Sequence, residues 1–216
     1  MILDTLITDR TQHDVDRLKA LLKLNWQDMT QSQKDEYIGG ATPLQDINEE
    51  DLYDSQNEQL YALGGVPKGA YNYTDLNRVE EAVDYVADEL VQAVSDLHDY
   101  ATSYGVAWDS YFDMPYDPDD YTGLTIKTDW AVGDIPSATQ MARYHNNLFL
   151  IQSALTVYTS IPLSMNNLTY SGANDIEQML KEAHDALQAE ILVKQAQIRS
   201  AAESYKSGEF YSGEVY

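Results

Sequence analysis

Cysteine is absent from the chain, which excludes a disulfide framework, a thiolate zinc site and a cysteine nucleophile. Basic residues are scarce: 13 Lys and Arg face 36 Asp and Glu, a formal charge of −23. Phosphate contacts need Lys and Arg, so neither nucleic acid nor an anionic membrane surface is expected as a partner. No stretch approaches the roughly 18 consecutive apolar residues of a membrane span. The opening MILDTLITDR lacks a basic stretch ahead of a hydrophobic one, so no signal peptide is expected there. Phenylalanine is also rare, with 3 residues against 17 tyrosines. Tyrosine suits half-buried surfaces such as subunit contacts, and a tyrosine-rich core is the alternative.

What is present points to a folded protein. At 216 residues the chain makes one to two domains with a sizeable core. High acidity also marks disordered chains, but 44% hydrophobic residues and long periodic stretches argue otherwise here. The strongest period lies in residues 66–104. Pro67 and Gly69 open it with a turn, Thr74 stands as N-cap and Asp75 lies in the first turn. Leu76, Val79, Val83, Val86, Leu90, Ala93, Leu97, Tyr100 and Tyr104 follow in steps of three and four, the seam of a long helix, and Gly105 is a natural stop. The predicted rod is roughly 45 Å long at 1.5 Å per residue.

A later stretch echoes this one. Ser171 to Glu177 (SGANDIE) repeats the plan of Thr74 to Glu80 (TDLNRVE): a hydroxyl, an Asn three residues on, then a β-branched residue and Glu. A tyrosine precedes each, Tyr73 and Tyr170. Val15-Asp16-Arg17-Leu18 and Met141-Ala142-Arg143-Tyr144 are weaker echoes. Either the chain carries an internal duplication, or these are features common to capped amphipathic helices.

Six segments follow from the pattern. Residues 1–40 read as an arm, with Ile2, Leu3, Leu6 and Ile7 forming a short strand or docking on a neighbour, then two short helices capped by Thr11 and by the Thr30/Gln33 box. Residues 41–65 are an acidic insertion between glycine pairs. Residues 66–104 are the long helix. Residues 105–135 have no helical period and hold Trp108, Tyr111, Phe112, Tyr116, Tyr121 and Trp130; long irregular loops of this kind serve function or interfaces, and 122–128 suits a strand. Residues 136–204 hold two helices. The first starts at Pro136-Ser137 with Met141, Tyr144, Leu148, Ile151, Leu155 and Tyr158 on one face and is broken by Pro162; the second starts at Ser171 with Ile176, Leu180, Ala183, Leu187, Ile191 and Ile198 inward. Residues 205–216 carry a tandem SGEFY/SGEVY and read as an extended tail. The fold class expected is mainly α: long amphipathic helices bundled within or between chains, an aromatic irregular loop region and short β elements at the termini.

The search for chemistry returns little. His13, His98, His145 and His184 have neither the i, i+4 partner of a helical zinc site nor a Glu three residues ahead, as di-iron bundles require. Asp113, Asp117, Asp119 and Asp120 crowd one loop with oxygen ligands that calcium favours, but without EF-hand order; a solvated acidic turn is the alternative. No nucleophile elbow, P-loop or dinucleotide fingerprint occurs, and carboxylates are too abundant to single out a glycosidase pair. Asn72-Tyr73-Thr74 and Asn167-Leu168-Thr169 match the glycosylation sequon and read as capping chemistry. No catalytic residue, cofactor or metal is therefore assigned.

Several motifs in order resemble a family of uncharacterised structural proteins of tailed bacteriophages and prophages of Gram-positive gut bacteria. They are Asp9-Arg10-Thr11, Trp26 to Thr30, Gly69 to Asn72, Asp75 to Arg78 and Tyr211 to Glu214, within stretches 69–90, 128–155, 165–180 and 210–216. Residues 41–65 look like an insertion relative to that pattern. The resemblance implies a non-enzymatic virion protein of the tail, baseplate or fibre region, made in the host cytoplasm and located in the virion. Its implied partners are its own copies, in a homo-oligomer, and other virion proteins. The alternative is a carbohydrate- or host-receptor-binding module of the tail, with the aromatic loop stacking on a host surface glycan.

Overall fold

The computed structural model describes residues 1–37, 69, 71–131 and 134–207. Five α-helices occur among them: α1 (Gln12–Leu21), α2 (Gln31–Tyr37), α3 (Tyr73–Ser103), α4 (Ala138–Ala154) and α5 (Tyr170–Ser207). The protein is mainly helical, and α3 packs along α5. With 31 and 38 residues these helices are rods of about 45 and 57 Å.

The apolar seams meet one another. Val79, Val83, Val86, Leu90 and Leu97 of α3, Leu148 and Ile151 of α4, and Ile176, Leu180, Ala183 and Leu187 of α5 are buried in one core. The two long helices run in the same direction. Asp75 and Glu177, near their starts, share one guanidinium; the Tyr85 and His184 rings lie 5.8 Å apart further along; Arg199 Nη1 donates to the Tyr100 hydroxyl at 3.2 Å near their ends. Parallel neighbours require long return connections, unlike the short hairpin of an antiparallel pair.

The end of α3 follows the expectation. Gly105 takes φ 70°, Val106 N–H donates to Ala101 C=O at 3.0 Å and Gly105 N–H to Thr102 C=O at 3.0 Å, with Val106 buried behind them. The chain then returns down α3. The Tyr116 hydroxyl donates to Leu90 C=O at 2.9 Å, Lys127 meets Glu80 and Trp130 meets Asn77. Residues 1–10 descend α5 in the same manner, with Leu6 C=O accepting from Lys181 Nζ at 3.2 Å and Arg10 reaching Asn174.

Several expectations are corrected. No strand occurs among the described residues. Ile2–Thr5 is a 3-10 turn that buries Leu3; in 122–128, Thr122 and Gly123 form a turn and 124–128 is irregular backbone held by side chains, not by another strand. The cap of α3 is Asn72, not Thr74: its Oδ1 accepts from Thr74 N–H at 2.9 Å while Asp75 returns a bond to Asn72 N–H. The start of α5 is Tyr170, with Thr169 Oγ1 accepting from Gly172 N–H at 3.0 Å. α4 stops at Ala154, and Tyr158 lies beyond it, 91% exposed rather than inward. α5 runs on to Ser207, so the first residues of the expected tail are helical. The 41–65 insertion and the tandem SGEFY/SGEVY lie outside the described residues.

Candidate functional site

Two irregular segments with related sequences are seated on the first turns of the two long helices. They are Ile7-Thr8-Asp9-Arg10 on α5 and Lys127-Thr128-Asp129-Trp130 on α3. On α5, Asn174 grips the backbone of Arg10 from both sides: Arg10 N–H donates to Oδ1 at 3.0 Å and Nδ2 donates to Arg10 C=O at 2.8 Å. On α3, Asn77 grips Trp130 in the same way, at 2.8 and 2.9 Å. One turn on, Glu177 accepts the N–H of Ile7, and Glu80 accepts the N–H of Lys127 at 2.8 Å.

The register is identical in the two cases. Asn and Glu stand three apart on the helix, and the gripped residues stand three apart on the segment. The last residue of each segment also turns its side chain onto the same carboxylate: Arg10 Nη2 to Glu177 at 2.6 Å, Trp130 Nε1 to Glu80 at 3.3 Å. These helix residues are the ones the sequence echo pairs, Asn77 with Asn174 and Glu80 with Glu177. The actual caps, Asn72 and Thr169, hold the same register.

Charge closes each seat differently. Around Glu177 stand Arg10, Arg78 and Asp75. Arg10 Nη2 donates to Asp75 at 2.7 Å, Arg78 Nη2 to Glu177 at 2.8 Å and to Asp75, and Arg10 Nη1 to Ile7 C=O at 2.6 Å. Asp75 and Glu177 have no exposed side-chain surface, and Arg10 has almost none. The guanidinium of Arg10 also lies 5.6 Å from the Tyr71 ring centroid. Burial opposes the charge on Arg78, yet its bonds to Glu177 and Asp75 hold its pKa above the ordinary value.

Around Glu80 the cation comes from α4. Arg143 makes a bidentate pair with both oxygens at 2.6 Å, and its side chain stays 20% exposed. Thr125 C=O accepts from Arg143 and, at 3.0 Å, from Asn147 Nδ2. A bond between the Tyr71 and Tyr144 hydroxyls joins the two seats, and burial pushes both tyrosines above their ordinary pKa. Gly69 completes the first seat. A Cβ there would fall 2.2 Å from Asp14 C=O, so α1 and residue 69 approach this closely only with glycine.

Other sequence candidates are placed elsewhere. Trp130 is buried in the core, while Trp108 is half-buried and stacked on His98 at 3.7 Å. Tyr111 is exposed on the rim of a groove of about 460 Å³ formed with Trp108, Phe112 and the last turns of α5. Asp113 accepts from Trp108 Nε1 at 2.9 Å and Asp117 caps the 3-10 turn Pro118–Tyr121. Among the described residues no three His, Cys, Asp or Glu are grouped as metal ligands, and no helix is long and apolar enough to cross a membrane.

In the sequence, Arg10 stands in the Asp-Arg-Thr motif with no structural role assigned to it. The available signal was the Thr-Asp pair shared by 7–10 and 127–130, together with the Asn/Glu echo. Chemically, each seat is saturated: four donors converge on each central carboxylate, leaving no open position for a substrate or ion. No protein-family model, curated protein or solved structure matches the chain.

Proposed function

We propose that this chain is an assembly component of a tailed-phage virion, in the tail, baseplate or fibre region, acting through contacts with its own copies and with other virion proteins. The observation that carries this reading is where its characteristic motifs meet. Arg10 of Asp-Arg-Thr, Tyr71 and Asn72 of Gly-Ala-Tyr-Asn, and Asp75 and Arg78 of Asp-Leu-Asn-Arg gather around Glu177. Motifs that hold buried architecture, with every carboxylate oxygen engaged, suit a structural part better than a catalyst. No catalysis is part of the reading. Exposed Ile135, Phe149, Tyr158 and Leu163 supply apolar surface for neighbours.

Light scattering on the purified protein, with and without calcium, tests the reading. A trimer, hexamer or larger ring is expected, together with copurification with particles. A strict monomer that never enters particles would overturn it. The groove under Tyr111 favours a second reading, a module that stacks a host surface glycan against Trp108 and Tyr111. A silent glycan array would remove it.

A further inference from the structure

We infer that the seat on α5 is exchangeable, and that in the assembled protein residues 1–10 of one copy occupy the α5 seat of another copy. This rests on the assembly reading above. Three observations carry it.

First, the seat recognises features every copy of the arm has. It grips backbone N–H and C=O groups at Ile7 and Arg10 and one guanidinium, all from residues 164 to 170 positions away in the chain. Nothing in that grip depends on which chain supplies the arm.

Second, the seat cannot stand empty. Without Arg10, the buried carboxylates of Asp75 and Glu177 face Arg78 alone, and Asn174 loses its partners. A buried charge left unpaired is strongly destabilising, so an arm from some copy must fill the seat. The opposite charges of Arg10 and the acid pair define the occupant.

Third, the companion seat shows what a captive segment looks like. Residues 127–130 are tied closely at both ends, to the return from α3 and to α4. The arm is joined to α3 through α1, α2 and the 31 residues 38–68. Fully extended, a stretch of that length spans up to about 100 Å, more than either long helix. α1 adds no residue to the central core, although Leu21 is buried and Gln12, Val15 and Lys19 line a cleft with the start of α5. Exchange of such an element between copies is a low-cost route to an oligomer.

The absence of cysteine makes the test unambiguous. A Thr8→Cys copy carrying a heavy-isotope label and an unlabelled Gln178→Cys copy are mixed in denaturant, refolded together at high concentration and treated with a bis-maleimide. A Thr8→Cys/Gln178→Cys double variant shows that the reagent spans the seat. The expected result is an isotope-mixed crosslink between positions 8 and 178. It should be largely lost when the arm copy also carries Ile7→Pro, which removes the N–H that Glu177 accepts without touching the helices. Oligomers by light scattering in which the mixed single-cysteine copies give no 8–178 crosslink, while the double variant crosslinks within chains, would overturn the exchange and leave the assembly reading standing. Monomers with only within-chain crosslinks would overturn both.

Discussion

The two seats share a backbone grip and differ in how they are sealed. At α5 the docking segment itself supplies a cation, Arg10, to two fully buried acids. At α3 the segment supplies Trp130, and the cation is Arg143 of α4, which keeps contact with water. The α3 seat is therefore electrically complete before its segment arrives, whereas the α5 seat is not. The same Asn and Glu pair can hold a permanent part of the bundle or a part whose charge is needed to finish it.

The sharpest way to break this comparison is Arg10→Met. It should cost about 3–5 kcal/mol in urea unfolding, because it strands two buried carboxylates on one arginine. Arg143→Met should cost less, about 1–3 kcal/mol, since water can reach Glu80 where Arg143 was partly exposed. Equal losses for the two would refute the difference in sealing.

Asn174→Ala and Asn77→Ala test the similarity instead. Each removes a two-sided grip on buried backbone, and the two should match at about 1–3 kcal/mol apiece. A loss at one and none at the other would dissolve the equivalence.

The Tyr71–Tyr144 bond between the seats predicts a pH effect. Burial raises both pKa values in the folded state, so the native protein keeps protons that the unfolded chain releases above about pH 10. That contribution is full below the unfolded pKa and is lost as pH rises above it. The urea midpoint should fall as pH rises above about 10, and fall less in Tyr144→Phe, which has one such hydroxyl fewer. The smallest effect belongs to Lys127→Ala. Its salt bridge reaches Asp129, which is largely exposed, its grip in the seat is its backbone N–H, and its ammonium lies 4.6 Å from the Trp130 ring centroid, so the loss should be no more than about 1 kcal/mol.

Much of the bundle was legible in advance because helix burial is periodic. The seams around Val83, Leu148 and Leu180 could be read from spacing alone, and so could the Gly105 stop. Caps were less legible. Thr74 and Asn72 are both competent, and the choice fell to Asn72 because Asp75 bonds back to its N–H. The returning loop was opaque for a deeper reason. Irregular backbone has no period, so nothing in the spacing of Phe112, Tyr121 and Trp130 marked them as core rather than surface aromatics. The seats needed two distant stretches to be read against each other. The echo of Asn and Glu was visible, but its purpose required the segments they hold.

The long separation between arm and seat also sets an order of events during synthesis. Arg10 emerges first, and Asn174 and Glu177 are added some 164 to 167 residues later. At about 5–20 residues per second, the ribosome leaves the arm without its seat for about 10–30 s. Throughout that interval the aliphatic Leu3 and Leu6 and the charge of Arg10 lack the surface that buries them in the folded protein. A chain so arranged completes its most buried ion network late, once Glu177 has been added.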